Sequence, residues 1–78
     1  MNMKDLVECI AKALVDRPEE VRVEQTEDSR FITLKLHVAQ QDMGKVIGKQ
    51  GRIAKAIRTV VNAAAINEKK RVMVEIVE

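Results

Sequence analysis

The sequence predicts an α+β fold, a three-stranded mixed sheet covered on one face by helices. Three observations carry that expectation. An apolar stripe of helical period opens the chain, and two stretches of period two follow it. After a second, glycine-interrupted helical region, the chain returns to period two in a short last stretch. The element order is therefore helix, strand, strand, helix, helix, strand.

Asn2 is placed to cap the first helix, with Asp5 at the third helical position supporting the start. Met3, Leu6, Val7, Ile10 and Leu14 fall at helical spacing and define its core face, with Cys9 at the stripe's edge as a small buried or half-buried filler. Pro18 ends the region. Val21 and Val23 alternate with charged residues in a first strand, and Glu27-Asp28-Ser29-Arg30 makes a polar turn. In the second strand Ile32, Leu34, Leu36 and Val38 share one face, while Phe31, Thr33, Lys35 and His37 look outward from the other. Asp42 can cap a short helix over roughly residues 43–47. A longer helix starts near Gly51 or Arg52 and runs to about Asn67, with Ile53, Ile57, Val60, Val61 and Ala64 as its core face. The last strand buries Val72, Val74 and Ile76. A hairpin makes the first two strands antiparallel, and the two-helix crossover makes the second and last parallel.

Seventy-eight residues make one domain, residues 1–78, which buries only about two-thirds of the surface its unfolded chain exposes. Charged residues at 33% and hydrophobic ones at 46% describe a globular chain. No apolar run approaches the ~20 residues that cross a bilayer, and Lys4, Asp5, Glu8 and Lys12 break up any signal-peptide reading of the start. One cysteine allows no internal disulfide, which points to a cytoplasmic setting. One cysteine and one histidine cannot assemble the usual zinc site, so no metal or cofactor is expected. The lone His37 sits in a strand without an evident nucleophile, and Arg52 stands where a P-loop would continue Gly-Lys-Ser/Thr; an enzyme is not expected.

The net charge of +2 is small, but it is segregated. Lys45, Lys49, Arg52, Lys55 and Arg58 fall in one stretch without an acid, while the remainder carries nine basic and twelve acidic residues. That distribution aims a positive field from one region, as a polyanion-binding surface requires. Within it lies Val46-Ile47-Gly48-Lys49-Gln50-Gly51-Arg52-Ile53. Two glycines three apart permit positive φ and close approach of another backbone. Amide groups at the start of a following helix favour an anion, and Lys49 and Arg52 add full charge beside them. The apolar Ile47 and Ile53 flank the loop as the floor of a groove for bases.

This run between two helices resembles the KH-domain signature, an apolar pair followed by Gly-x-x-Gly and a later Ile. The element order is similar to the bacterial type II KH arrangement, and the whole chain resembles the small KhpA-type RNA-binding proteins of bacteria. The resemblance implies that Gly48, Lys49, Gln50 and Gly51 clamp the backbone of about four nucleotides of single-stranded RNA. It implies that Ile47 and Ile53 line or support the base groove, and that Lys45, Arg52 and Lys55 touch phosphates at its periphery. It also implies use as a small RNA chaperone or regulator, and pairing with a second copy or another KH-type protein. Ala56, Ala63 and Ile66, outside the core stripe, fit that pairing. With Phe31 as the only aromatic, a stacking platform of the RRM or OB type is excluded.

Other readings stand beside these. The glycine pair also fits a tight turn between helices, and for Arg58, one turn past Lys55, a solvated helix face stands beside a binding role. The rival function is a KH-fold protein-interaction module with weak or incidental RNA binding. RNA targets, base preference, RNA against single-stranded DNA, and the cellular process are not legible in the residues.

Overall fold

The computed structural model describes residues 2–66 and 68–77; the side chains of Lys49 and Gln50, and the predicted helix end at Asn67, lie outside that description. Helix α1 (Met3–Leu14) starts as expected, with the Asn2 side chain accepting from the Asp5 backbone N–H at 2.8 Å. Val7 and Ala11 are its fully buried residues, with Met3 and Ile10 packed partly against the core. Leu14 does not join them. It is 40% exposed, because the helix stops there and the extended Val15 turns inward instead. Cys9 is exposed rather than a filler. Pro18–Glu20 forms a single 3-10 turn with Pro18 in the first helical position, where its missing N–H costs nothing.

Strands β1 (Arg22–Glu27) and β2 (Phe31–His37) pair antiparallel, with Val23 opposite Leu36 and Glu27 opposite Ile32. Asp28 shapes the turn between them. Its Oδ1 accepts from the backbone N–H groups of Arg30 and Phe31, both at 2.7 Å, and those bonds hold its carboxyl below the ordinary value of 3.8. Strand β3 (Arg71–Ile76) runs parallel to β2, with Phe31 opposite Arg71 and Leu36 opposite Ile76. The order is β1-β2-β3, so β3 forms one edge. Ile32, Leu34 and Leu36 alternate inward with half-buried or exposed neighbours, the period of two expected of a sheet covered on one face. The fold class is thus the predicted α+β arrangement of a type II KH domain.

The helical region differs in detail. One helical run, α2 (Gln40–Ala64), replaces the expected short and long helices, and it is interrupted at Gly51, where φ is 66°. That value lies in the left-handed region, so right-handed geometry lapses for one residue without the run ending. Asp42 does not cap this helix. Its first turn follows Ala39, and Asp42 is buried with its carboxylate accepting from the backbone N–H groups of Asp16 and Arg17, each at 3.0 Å. The core face also shifts. Val46, Ala54, Ile57 and Val61 are buried and Ile53 partly so, but Val60 is 39% exposed and Ala64 is exposed. Residues 54, 57 and 61 share one face and Val60 lies at its edge, while Ala64, though on the face of Ile57, is the last residue of the helix and lies at the end of the core.

Candidate nucleic-acid interface

Helix α2 packs against α1 and β3, and a groove of about 510 Å³ opens between it and the β3 edge. The helix side is built from Ile47, Gly51, Ala54 and Arg58. These recur at steps of four, three and four, so they form one stripe along the run. The opposite wall is β3 from Met73 to Ile76, with Thr33 of β2 behind it. A smaller cavity of about 200 Å³ continues past Arg58 to Asn62, Val72, Met73 and Val74. Three residues shared by the two cavities make one path along the edge.

The β3 edge contributes backbone as well as side chains. The Arg71 N–H donates to the Arg30 carbonyl at 3.1 Å, and the Val77 N–H donates to the Leu36 carbonyl at 3.0 Å. In a parallel pair, alternate residues turn both backbone groups to the same neighbour. Residues 71, 73, 75 and 77 therefore face β2, and the N–H and C=O groups of Val72, Val74 and Ile76 point outward from the free edge. Val74 and Ile76 are both groove residues, so a backbone donor and acceptor stand ready in a wall that also carries Met73, Glu75 and Thr33.

Gly51 sits half-buried in the groove lining with its left-handed φ. Gly48 is half-buried one helical turn before it, and a Cβ added at either would meet no atom within 4 Å. Internal packing therefore requires neither glycine; only backbone conformation at Gly51 does. Ile47 is 42% exposed and lines the groove, whereas Ile53 packs against the core and supports it from behind.

The cations divide too. Arg52, Lys55 and Arg58 are exposed and make no salt bridge among the described residues. Lys45 is engaged elsewhere. Its Nζ lies 3.2 Å from Asp16 Oδ1, where it ties the first turns of α2 to the loop that Asp42 also holds. Arg58 is exposed and lines the groove. Ala54, Asn62 and the β3 edge were not singled out in the sequence. Their spacing from Gly51 could have shown the helical ones; the edge required knowing the strand order. His37 is half-buried with Nε2 at 2.8 Å from Glu24 Oε1, an ion-pair distance without hydrogen-bond alignment, and it lies outside the groove. Among the described residues no cluster of His, Cys, Asp and Glu could hold a metal ion.

Known proteins resemble the chain over nearly all its length. The family model described as KhpA/KhpB, KH domain, matches residues 4–76. The RNA-binding protein KhpA of Clostridium perfringens is 65% identical over 75 residues, covering 96% of this chain and 100% of that relative. RNA-binding protein KhpA of Clostridium acetobutylicum is 64% identical over the same length and coverage. A more distant relative of the same name, from Aquifex aeolicus, is 47% identical over 76 residues, covering 97% of this chain and 96% of its own. No solved structure matches.

Proposed function

From the premise that the chain belongs to the KhpA/KhpB family of KH domains, we propose that it binds single-stranded RNA in the groove between α2 and the β3 edge. The observation that carries this reading is the juxtaposition of Gly51, at φ 66°, with a largely apolar groove, lined also by Arg58 and Glu75, whose far wall is the outer edge of the sheet. Phosphates lie along Gly48, Lys49, Gln50 and Gly51, where the absence of side chains at the glycines lets the sugar-phosphate backbone come close. Arg52 and Lys55 add charge at the periphery, and Lys45 does so only if it leaves Asp16. Bases enter between Ile47 and Ala54 on one side and Val74 on the other. The outward N–H and C=O groups of β3 can meet a base edge, and the Arg58 guanidinium can stack on a base or bond to it. A duplex keeps its base edges paired, so the groove suits a single strand. The reading extends to a role as a small RNA chaperone or regulator in the cytoplasm. No helix of the described residues is long and apolar enough to cross a membrane.

The test replaces Lys49 and Gln50 together with Asp, which sets two carboxylates against the phosphates. Binding of short single-stranded RNA should be lost with the circular dichroism spectrum unchanged. For the parent, gripping about three phosphates predicts a log-log salt slope near −2, from about −0.7 per phosphate on a single strand. A double variant that binds as the parent does removes the glycine segment from the site.

A second element of the reading is pairing with another copy or another KH-type protein. Ala56, Val60 and Ala63 recur at helical spacing on the exposed face of α2, and Ile66 beyond them is 81% exposed. Small residues let a second helix approach closely, and Ile66 adds area to bury. Two linked four-nucleotide sites bind one RNA with avidity that a lone site lacks.

A further inference from the structure

We propose that the RNA path does not end in the groove but climbs over the β3 edge, and that the next base stacks on Phe31 on the uncovered face of the sheet. The inference rests on the groove reading and extends it.

The register places the residues. Cross-strand partners share a face, so Phe31 with Arg71, Thr33 with Met73, and Lys35 with Glu75 form three successive rows on the face opposite the helices. Thr33 and Met73 belong both to this face and to the groove lining, so the two surfaces are continuous across the edge. The path along α2 from Gly51 to Asn62 spans eleven residues, about 16 Å, and β3 runs beside it from Ile76 to Val72 over about 13 Å. Beyond Val72 the next row is Arg71 with Phe31. Phe31 lies two residues from Thr33, about 7 Å along the strand, which a neighbouring nucleotide can cover.

Chemistry favours that exit. Phe31 is 37% exposed and Met73 49% exposed, which gives a flat apolar corner on an otherwise polar sheet face. Arg71 and Arg30 flank it, both exposed and outside every described salt bridge, and together they outweigh the single Asp28 carboxylate held on the Arg30 and Phe31 backbone N–H groups. At the other end of the same face Glu24, paired with Arg22, and Glu75 bracket Lys35, and Glu75, which also lines the groove, repels phosphates from that end of the sheet. The strand is thus directed toward the arginine row. One aromatic ring cannot form the multi-base platform of an RRM, but it can hold one base, and stacking tolerates any base identity.

The experiment compares degenerate pools of fluorescein-labelled tetranucleotide and heptanucleotide RNA, binding the full chain and a Phe31→Leu variant. Leucine keeps apolar bulk at an exposed site, so the fold is retained. A heptanucleotide offers four registers to a four-nucleotide site, a statistical gain of about fourfold. Stacking of a further base should multiply that by about five- to 150-fold. The expected result is that Phe31→Leu binds the tetranucleotides as the parent does and loses the gain beyond the statistical factor. The Phe31 ring protons, the only phenyl signals in the protein, should shift upfield with heptanucleotide and stay put with tetranucleotide. A heptanucleotide gain that is merely statistical in the parent, or that survives in Phe31→Leu, overturns the extension and leaves the groove standing. If neither pool binds the parent, the groove reading fails and the extension with it.

Discussion

The Asp42 carboxylate takes the Asp16 backbone N–H on one oxygen and the Arg17 N–H on the other. These bonds join the start of α2 to the loop after α1, and the Lys45–Asp16 pair adds a third tie. Asp42 is buried and the two bonds are part-buried, so a variant that removes the acceptor leaves two amides only partly reached by water. Asp42→Ala should lower stability by about 2–4 kcal/mol, read as a fall in the urea midpoint. Asp42→Asn keeps one acceptor and should lose about half as much. An alanine variant within about 0.5 kcal/mol of the parent would discount the carboxylate as an anchor. Asp28 acts on a smaller scale at the hairpin. Its carboxyl titrates below 3.8 in the folded protein because the Arg30 and Phe31 amides bond to the charged form. The contribution is therefore complete above the ordinary carboxylate value and fades as the pH drops through the lower native one. Carboxyl carbon shifts of Asp28 followed by NMR during acidification should give a midpoint below 3.8. In Asp28→Asn this part of the acid dependence should vanish.

Of the three glycines in α2, Gly48 and Gly51 differ in what holds them as glycine. Gly51 has φ 66°, where a side chain is strained, so Gly51→Ala should destabilise by about 1–2 kcal/mol. Gly48 lies in the helical run with open space above it, so Gly48→Ala should stabilise the fold by about 0.5–1 kcal/mol. If RNA lies against that backbone, the same variant should bind RNA more weakly despite its greater stability. Thermal melts and fluorescence anisotropy on one sample separate the two effects. A more stable Gly48→Ala with undiminished affinity would move the strand off this turn. The sequence showed the glycine pair and its flanking apolar residues, yet it suggested two helices. Backbone continuity through Gly48 depends on how Val46 and Ile57 seat the run on the sheet, and that lies beyond local sequence.

At the scale of the whole molecule, the sheet covers its inner face with helices and leaves an outer face and one exposed helix face available. The exposed stripe of Ala56, Val60, Ala63 and Ile66 is more apolar than a solvated helix needs to be. If it pairs, sedimentation at tens of micromolar should report a dimer, and Ala63→Glu should return it to monomer by burying an unpaired charge. A dimer that tolerates Ala63→Glu places the interface elsewhere. A monomeric parent with no KH-type partner recovered from its cells removes the proposal.

Much of this was determined by the sequence alone, because period and turn chemistry act over a few residues. The alternation of Ile32, Leu34 and Leu36, the Asn2 cap, the Asp28 turn and the parallel return of β3 are local consequences of side-chain spacing, capping and connection length. So is the basic, glycine-bearing segment between Lys45 and Arg58. Tertiary structure alone decided the rest. That Arg58 lines the groove while Lys45 turns to Asp16, that Asp42 anchors a distant loop, and that Val74 and Ile76 offer free backbone groups all depend on which residues meet across the fold. Strand order makes β3 an edge, and the seating of α2 against it sets the groove. Both result from burying one shared core, a constraint on the whole chain that no short window of sequence contains.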